Sequence, residues 1–332
     1  MNCGIYILAN DRVMDQAIAL LNSIRLHDAE TPIVLIPYDQ QYHIVERELA
    51  DFFGVTVYED LELLNRLDQR VTEIFGDRFF ARPNQFRKQA CWFGNFDRFL
   101  YIDTDIVVFQ KIIETLKYLD HYDFICCDYQ HQGGIKNVFS SSILDANLFT
   151  ETDLKDIFNC GFWGSKKGLF SEPDLYRIFT ECAVHSEYFD FSQKTSDQPI
   201  INYLILNYIP QRFNLVRRPG GCPGSWAGSQ FEQQGYQLID PRVDQVLPYL
   251  HWAGFRIQPG CPYWAIWEHY RYLNQPELRD SGSTSDSTQV NFQDLPQDQF
   301  QQWLATARQW LRTARQWLRT ARQWLRTAMR RG

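Results

Sequence analysis

The amino-acid sequence predicts an α/β fold whose sheet is mostly parallel and flanked by helices. Short aliphatic runs alternate with segments that carry apolar residues at helical spacing, as in CGIYILA (3–9) followed by MDQAIALLNSIRLH (14–27). This alternation is typical of parallel sheets, in which helices connect successive strands. The chain has 332 residues, 45% of them hydrophobic, and is therefore long enough to bury a substantial core.

The first half of the chain supplies further elements of both kinds. PIVLIPY (32–38) and VTVYED (55–60) have the composition of strands, and the amphipathic segment between them stops at Gly54. QFRKQACWFG (85–94) predicts a helix, and it leads into the apolar run FLYIDTDIVVF (99–109), which predicts a central strand.

The second half is less regular. YDFICCDY (122–129) and DIFNCGFWGSKKG (156–168) predict strands, SDQPIINYLILNY (196–208) predicts a buried helix, and RRPGGCPGSWAGS (217–229) predicts a loop. Because RDSGSTSDSTQ (279–289) has the composition of a linker, we expect three parts. These are a globular domain at 1–276, a linker at 277–300 and a heptad-repeat amphipathic helix at 301–332.

Charge and cysteine content narrow the class of protein. All 40 acidic residues precede position 300 and eight of the 33 basic residues follow it, which leaves 25 basic residues and a net charge of −15 in 1–299. An acidic body of this kind is not expected to bind nucleic acid. The eight cysteines include no C-x-x-C pair, and the amino terminus lacks a basic, signal-like segment. We therefore expect no zinc site and a reduced, cytoplasmic setting.

Asp103 and Asp105 interrupt the apolar run at 99–109. In an extended segment residues i and i+2 face the same side, so both carboxylates are expected to point together from the carboxyl end of a strand. Paired carboxylates are hard oxygen ligands that suit Mg²⁺ or Mn²⁺. The alternative interpretation is a polar turn in which Asp105 caps backbone N–H groups.

The body resembles glycosyltransferase family 8, the glycogenin-like group, over about residues 3 to 275. Besides the D-x-D triplet, five segments carry the resemblance in the family's order: IYILANDRVMDQAIALLNSIRLH, RKQACW, FNCGFWG, SDQPIIN and HWAGFR. The resemblance implies a GT-A fold with a Rossmann-like sheet. It also implies Mn²⁺ or Mg²⁺ as cofactor, a nucleotide-sugar donor (expected to be a UDP-sugar), a glycan, lipid-linked or other hydroxyl acceptor, and retention of anomeric configuration.

The same resemblance assigns roles to individual residues. Asp103, Asp105 and His251 match the metal ligands, and Asp197 and Gln198 match residues that orient the donor sugar. Asp128 matches no motif of the family, but its position after the strand DFICC makes it a candidate contact to donor sugar or acceptor. The residues expected to bind the donor nucleotide and its diphosphate are Ala9, Asn10, Lys88, Asp103, Thr104, Asp105, Asn159, Gly161, Gly254 and Arg256.

Several of these residues also have a purely structural interpretation. Lys88 could be a solvated helix residue, Asp197 a helix cap and His251 a satisfied core histidine. Asn159 and Gly161 could simply form a turn.

The chain departs from the family pattern at one position. The family usually has a lysine six residues after the late histidine, where this chain has Ile257 preceded by Arg256. Arginine can bind a diphosphate bidentately, but the departure leaves open a catalytically inactive sugar-nucleotide-binding or scaffold protein on the same fold. A nucleotidylyltransferase is not expected, because YILANDR lacks the glycine-rich phosphate loop of that class.

The segment 301–331 repeats QWLRTAR with a seven-residue period. On a helix, the tryptophans (Trp303, Trp310, Trp317 and Trp324) border an apolar stripe that faces away from the arginines. A basic, Trp-rich amphipathic helix suits an anionic membrane surface, which would make the protein peripheral at the inner membrane face. Self-association as a coiled coil, with leucines at one seam position, is the second interpretation. A recent duplication with little function is the third.

Overall fold

The computed structural model describes residues 2–76, 82–127, 134–190 and 197–281. The chain divides into two compact units, Met1–Pro276 and Glu277–Gly332, and only residues 277–281 of the second unit are described. Asp128, most of the expected linker and the whole heptad repeat lie outside the described residues. The three-part domain organisation therefore stays a prediction.

Twelve strands and nine α-helices, besides several 3₁₀ turns, lie in the described part of the chain. The strands are β1 (Cys3–Ala9), β2 (Ile33–Pro37), β3 (Thr56–Val57), β4 (Arg98–Ile102), β5 (Ile106–Val108), β6 (Phe124–Cys126), β7 (Phe162–Lys166), β8 (Arg212–Asn214), β9 (Glu232–Gln234), β10 (Gln237–Asp240), β11 (Gln245–Val246) and β12 (Tyr249–His251). The helices are α1 (Met14–His27), α2 (His43–Phe53), α3 (Leu61–Phe75), α4 (Ser142–Asp145), α5 (Glu151–Leu154), α6 (Glu172–Val184), α7 (Gln198–Tyr208), α8 (Trp264–Arg271) and α9 (Pro276–Ser281). None of these helices combines the length and the hydropathy needed to cross a bilayer.

A seven-stranded sheet in the order β3-β2-β1-β4-β7-β6-β8 forms the centre of the larger unit. Strands β3, β2, β1 and β4 are parallel neighbours, whereas β7 runs antiparallel to both β4 and β6. The expected mixed, mostly parallel sheet is therefore confirmed. Strands β5 and β12 pair separately as an antiparallel ribbon, and β9–β11 form a small three-stranded sheet.

Local sequence explains the best-predicted elements. Strand β1 and helix α1 have the predicted bounds, because their apolar residues follow the periods of a strand and of a helix. Helix α2 ends at Gly54, whose φ of 66° is left-handed and favours glycine. Buried residues cover both faces of the sheet, as the near-continuous apolar strands require.

Two sequence predictions about the region before the site were inaccurate. The lysine-containing segment Pro83–Phe93 is a run of 3₁₀ turns, not an α-helix. The run 99–109 is not one strand, because β4 ends at Ile102, residues 103–105 turn, and β5 begins at Ile106. The two halves pair with different partners, β4 with the central sheet and β5 with β12, so the chain must change direction between them.

Candidate active site

The D-x-D triplet forms the turn between β4 and β5, at the carboxyl end of a central strand. The Asp103 N–H donates to the Gly161 carbonyl at 2.8 Å, and the Asp105 carbonyl accepts from the Trp252 N–H at 3.0 Å. The two carboxylates therefore converge through a turn that is fixed on both sides, not through the alternation of an extended strand as the sequence argument assumed. The backbone of the triplet is therefore a turn, as the alternative interpretation predicted.

His251 lies beside the triplet, although it follows it by almost 150 residues in the sequence. Because β12 pairs antiparallel with β5, His251 lies opposite Ile106, one residue after the triplet. Its Nε2 atom is 3.1 Å from Asp105 Oδ1, and one potential ligand atom from each of Asp103, Asp105 and His251 lies within 4.8 Å of the others. The pKa of Asp105 is lowered because, although burial opposes it, His251 provides a charge and a hydrogen bond.

Gly161 leaves the space that the side chains of this cluster occupy. A Cβ added at Gly161 would lie 2.3 Å from His251 Cε1 and 3.0 Å from Asp103 Oδ2, so a larger residue would displace both ligands. The Asn159 side chain accepts the Gly161 N–H at 3.0 Å and fixes the turn. Two carboxylates and an imidazole form a donor set that suits a divalent cation such as Mn²⁺ or Mg²⁺.

Lys88 is buried beside the metal-ligand cluster. It is 5% exposed, and its Nζ atom lies 3.1 Å from Asp197 Oδ2 and 3.6 Å from Asp103 Oδ1. The ammonium also lies 4.9 Å from the centroid of the Tyr101 ring. Burial alone would lower the pKa of Lys88, but Asp103 and Asp197 outweigh it and raise the pKa above its ordinary value. Lys88 is therefore a buried cation and not a solvated helix residue.

Asp197 occupies the position before α7, but its side chain caps no backbone N–H of that helix. It is 3% exposed and pairs with Lys88, so the helix-cap interpretation does not hold. Gln198 follows in the first turn and is buried. Asn202 has a structural role, because its side chain accepts from the Phe158 N–H at 2.9 Å and donates to the Phe158 and Gln198 carbonyls. It thereby joins α7 to the segment that carries Asn159.

The expected nucleotide residues lie at the same edge of the sheet. Strands β1 and β4 are parallel neighbours, so Ala9 at the end of β1 lies on the same side as the triplet. The Asn10 side chain donates to Asp39 at 2.8 Å and accepts from the Arg12 N–H, which gives it a turn-forming role. Thr104 is buried, with its Oγ1 3.4 Å from Gln16 Oε1.

The loop after His251 places its two candidates at the surface. Gly254 is exposed and has a φ of 79°, a left-handed conformation that favours glycine. Arg256 is exposed, and no hydrogen bond or ion pair between described residues joins it to the metal-ligand cluster. Its role in binding diphosphate therefore remains a prediction.

Tyr101 is a site residue that sequence reasoning missed. Its hydroxyl donates to Asp103 Oδ1 at 2.5 Å, and its ring lies beneath the Lys88 ammonium. The signal was present, because Tyr101 precedes Asp103 by two positions and so shares its face at the end of β4. The bond orients one carboxylate of the triplet.

Comparison with known proteins identifies the architecture. No protein-family model matches the chain, and neither does any curated protein sequence. Among solved structures, an active-site mutant of LgtC aligns with a TM-score of 0.55 and 12% identity, covering 86% of this chain and 98% of that one. The galactosyltransferase LgtC in complex with donor and acceptor sugar analogues aligns with a TM-score of 0.52, 13% identity and the same coverage.

The apo structure of the bifunctional glycosyltransferase WbbM aligns with a TM-score of 0.57 and 14% identity over 83% of this chain. This chain spans half the length of WbbM. At sequence identities this low, these structural alignments show a shared fold and no finer likeness. The mixed seven-stranded sheet flanked by helices is the GT-A fold of glycosyltransferases, and it carries an Asp-Asp-His cluster at the carboxyl edge of its parallel strands.

Proposed function

We propose that this chain is a metal-dependent glycosyltransferase of the family 8 type. It would transfer a sugar from a nucleotide-diphosphate donor, expected to be a UDP-sugar, to a hydroxyl of a glycan or other acceptor with retention of configuration. The observation that carries the proposal is the convergence of Asp103, Asp105 and His251, with buried Lys88 beside them, on a GT-A fold.

The charges around the cluster suit a departing diphosphate. Cleavage of the bond between sugar and diphosphate leaves negative charge on the diphosphate oxygens. A divalent cation bound by Asp103, Asp105 and His251 would supply Lewis-acid neutralisation of that charge. Lys88 adds a permanent positive charge 3.6 Å from Asp103, and the buried Asp197 and the Tyr101 ring hold it in place.

The first turn of α7 would orient the donor sugar. Asp197 and Gln198 lie there, and Asp197 forms an ion pair with Lys88, the ammonium that would face the diphosphate. Sugar hydroxyls are recognised by carboxylate and amide groups, which accept and donate hydrogen bonds at fixed positions. Asn202 bonds this turn to the segment that leads to Gly161, which would keep the groups proposed to bind the donor and the metal in fixed relative positions.

Charge-removing variants of the triplet test the proposal. Asp103→Asn and Asp105→Asn keep the side-chain shape but remove ligand charge, so each should lower the release of UDP from a UDP-sugar panel with Mn²⁺ at least about 100-fold. Asp145→Asn, an exposed carboxylate outside the cluster, is the matched control and should retain full turnover. Undiminished turnover in EDTA would contradict the metal mechanism. Tight UDP binding without turnover of any donor would instead favour the inactive scaffold suggested by Ile257.

A further inference from the structure

The Gly/Pro-rich loop at 217–229 lies directly against strand β12, which carries the proposed metal ligand His251. The His251 N–H donates to the Ser225 carbonyl at 2.7 Å, and the Ala227 N–H donates to the His251 carbonyl at 2.9 Å. Residues 225–227 thus run parallel to β12 on the edge opposite β5, and Trp226 pairs with His251. Paired residues of neighbouring strands lie about 5 Å apart and project to the same face. Trp226 is therefore a neighbour of the metal ligand.

Trp226 is exposed, yet its orientation is fixed. Its side chain is 49% exposed, while the indole N–H donates to the Ala253 carbonyl at 3.0 Å. The ring lies over Gly228, where an added Cβ would come within 2.4 Å of it, and its centroid is 5.8 Å from that of Phe255. Since the single polar atom of the indole donates to a backbone carbonyl, the ring surface that remains exposed to solvent is apolar.

A buried carboxylate anchors the same loop. Asp240, at the end of β10, accepts the Gly224 N–H at 2.7 Å and the Arg242 backbone and side-chain N–H groups at 2.7–3.0 Å. These bonds, first of all that from the Arg242 side chain, lower the pKa of Asp240 to about 2. The loop before Trp226 is thus bonded to the body at neutral pH, and the exposed ring is preorganised.

We propose that Trp226 is the stacking platform for the pyranose ring of the acceptor, which would make a glycan the substrate class. The inference rests on the proposed function. The C–H face of a pyranose is apolar and flat, so it stacks on an aromatic ring while its hydroxyls remain free. The donor diphosphate is expected on the side of Lys88 and Asp103, whereas Trp226 lies across β12 from β5. We therefore expect the acceptor on the Trp226 side of His251.

Sugar binding to the nucleotide-loaded protein tests the platform. The probes are lactose and the methyl glycosides of glucose, galactose, mannose and N-acetylglucosamine, titrated by NMR with UDP and Mn²⁺ present. Trp226→Ala should weaken the binding of the preferred sugar about tenfold or more, and Trp226→Phe should retain it within roughly threefold. Both variants should bind UDP as wild type does. Tyr236→Ala, which removes a ring that is 47% exposed on the β9–β10 turn, is the matched control.

The outcomes separate the two proposals. Equal sugar affinity of Trp226→Ala and wild type, or UDP binding by the wild type without binding of any probe sugar, overturns the acceptor platform and leaves the proposed function standing. Failure of UDP, GDP and ADP alike to bind the wild type with Mn²⁺ counts against the proposed function itself. Once an acceptor is known, Trp226→Ala should raise its KM, and Trp226→Phe should restore the KM to within roughly threefold of wild type.

Discussion

At the scale of single residues, the site depends on a buried charged side chain and on a glycine that leaves space for its neighbours. Lys88 is a lysine with almost no solvent contact, kept charged by two carboxylates. Taking one partner away from such a pair leaves an uncompensated buried charge, which is costly. Gly161 matters because it has no Cβ, an atom that would clash with His251 and Asp103.

We expect Gly161→Ala to weaken metal binding without unfolding the protein. The new methyl group would displace the His251 ring and Asp103, so the affinity for Mn²⁺ measured by calorimetry with UDP present should fall at least about tenfold. The closest clash is with His251 Cε1, so most of the loss should act through that side chain, and Gly161→Ala/His251→Ala should bind Mn²⁺ within about threefold of His251→Ala alone. Additive losses would show that Gly161 acts elsewhere. A lowered melting temperature with unchanged affinity for Mn²⁺ in His251→Ala would restore the core-histidine interpretation.

At the scale of elements, the site depends on where strands change partners. Strand β4 belongs to the central sheet and β5 to the ribbon with β12, and the three residues between them carry the D-x-D turn. The helices cover the sheet.

Helix α2 buries one ionisable residue, Glu48, among the apolar residues of its inner face.

The environment of Glu48 predicts a pH dependence of stability. Burial, and then the nearby Asp51, raise the pKa of Glu48 from 4.5 to about 7. The folded state therefore favours the protonated acid, and its advantage is lost as the pH rises from 4.5 through 7. The free energy of unfolding of Glu48→Gln should exceed that of wild type at pH 8, and the gap at pH 8 should be about 1–3 kcal/mol larger than at pH 5.

Urea unfolding at both pH values measures this gap. Glu62→Gln, an exposed glutamate on α3, is the matched control and should show a difference from wild type that does not change between pH 5 and 8. A gap for Glu48→Gln that is the same at the two pH values would show that the glutamate is ionised with its ordinary pKa in the folded protein.

At the scale of the whole molecule, charge is divided between an acidic body and a basic tail. Residues 1–299 carry all 40 acidic groups, and the repeat contains eight arginines and no acid. Such a segment is attracted to anionic surfaces, each arginine contributing about 1 kcal/mol near the membrane. We propose that the tail brings the body to the cytoplasmic face of a membrane, where a lipid-linked or surface glycan acceptor would be found.

Sedimentation with vesicles tests the role of the tail. The full chain should sediment with anionic phosphatidylserine-containing vesicles at low salt, should be released as salt is raised, and should not bind neutral phosphatidylcholine vesicles. A chain that ends at Gln299 should lose this binding and keep its affinity for UDP. Equal binding by both chains would contradict the proposal, and a change from oligomer to monomer on truncation would favour the coiled coil instead.

The sequence by itself determined the elements whose information is local. The period of apolar residues defined β1 and α1, and Gly54 ended α2, because these signals depend only on neighbours along the chain. The order of short motifs pointed to the GT-A fold, which the solved structures bear out. The sequence analysis did not predict the amphipathic helix α3, because polar residues dominate that stretch, although the inner face of the helix is buried.

Only the tertiary structure decided the properties that depend on contacts distant in sequence. The sequence left open whether Lys88 binds the donor or is a solvated helix residue, and only the fold shows that it is buried between Asp103 and Asp197. The D-x-D segment looked like one strand, because composition does not show that β5 would leave the sheet to pair with β12. The sequence did not indicate that Trp226 lies beside His251. Hydrogen bonds between segments 25 residues apart depend on the fold and not on local preference.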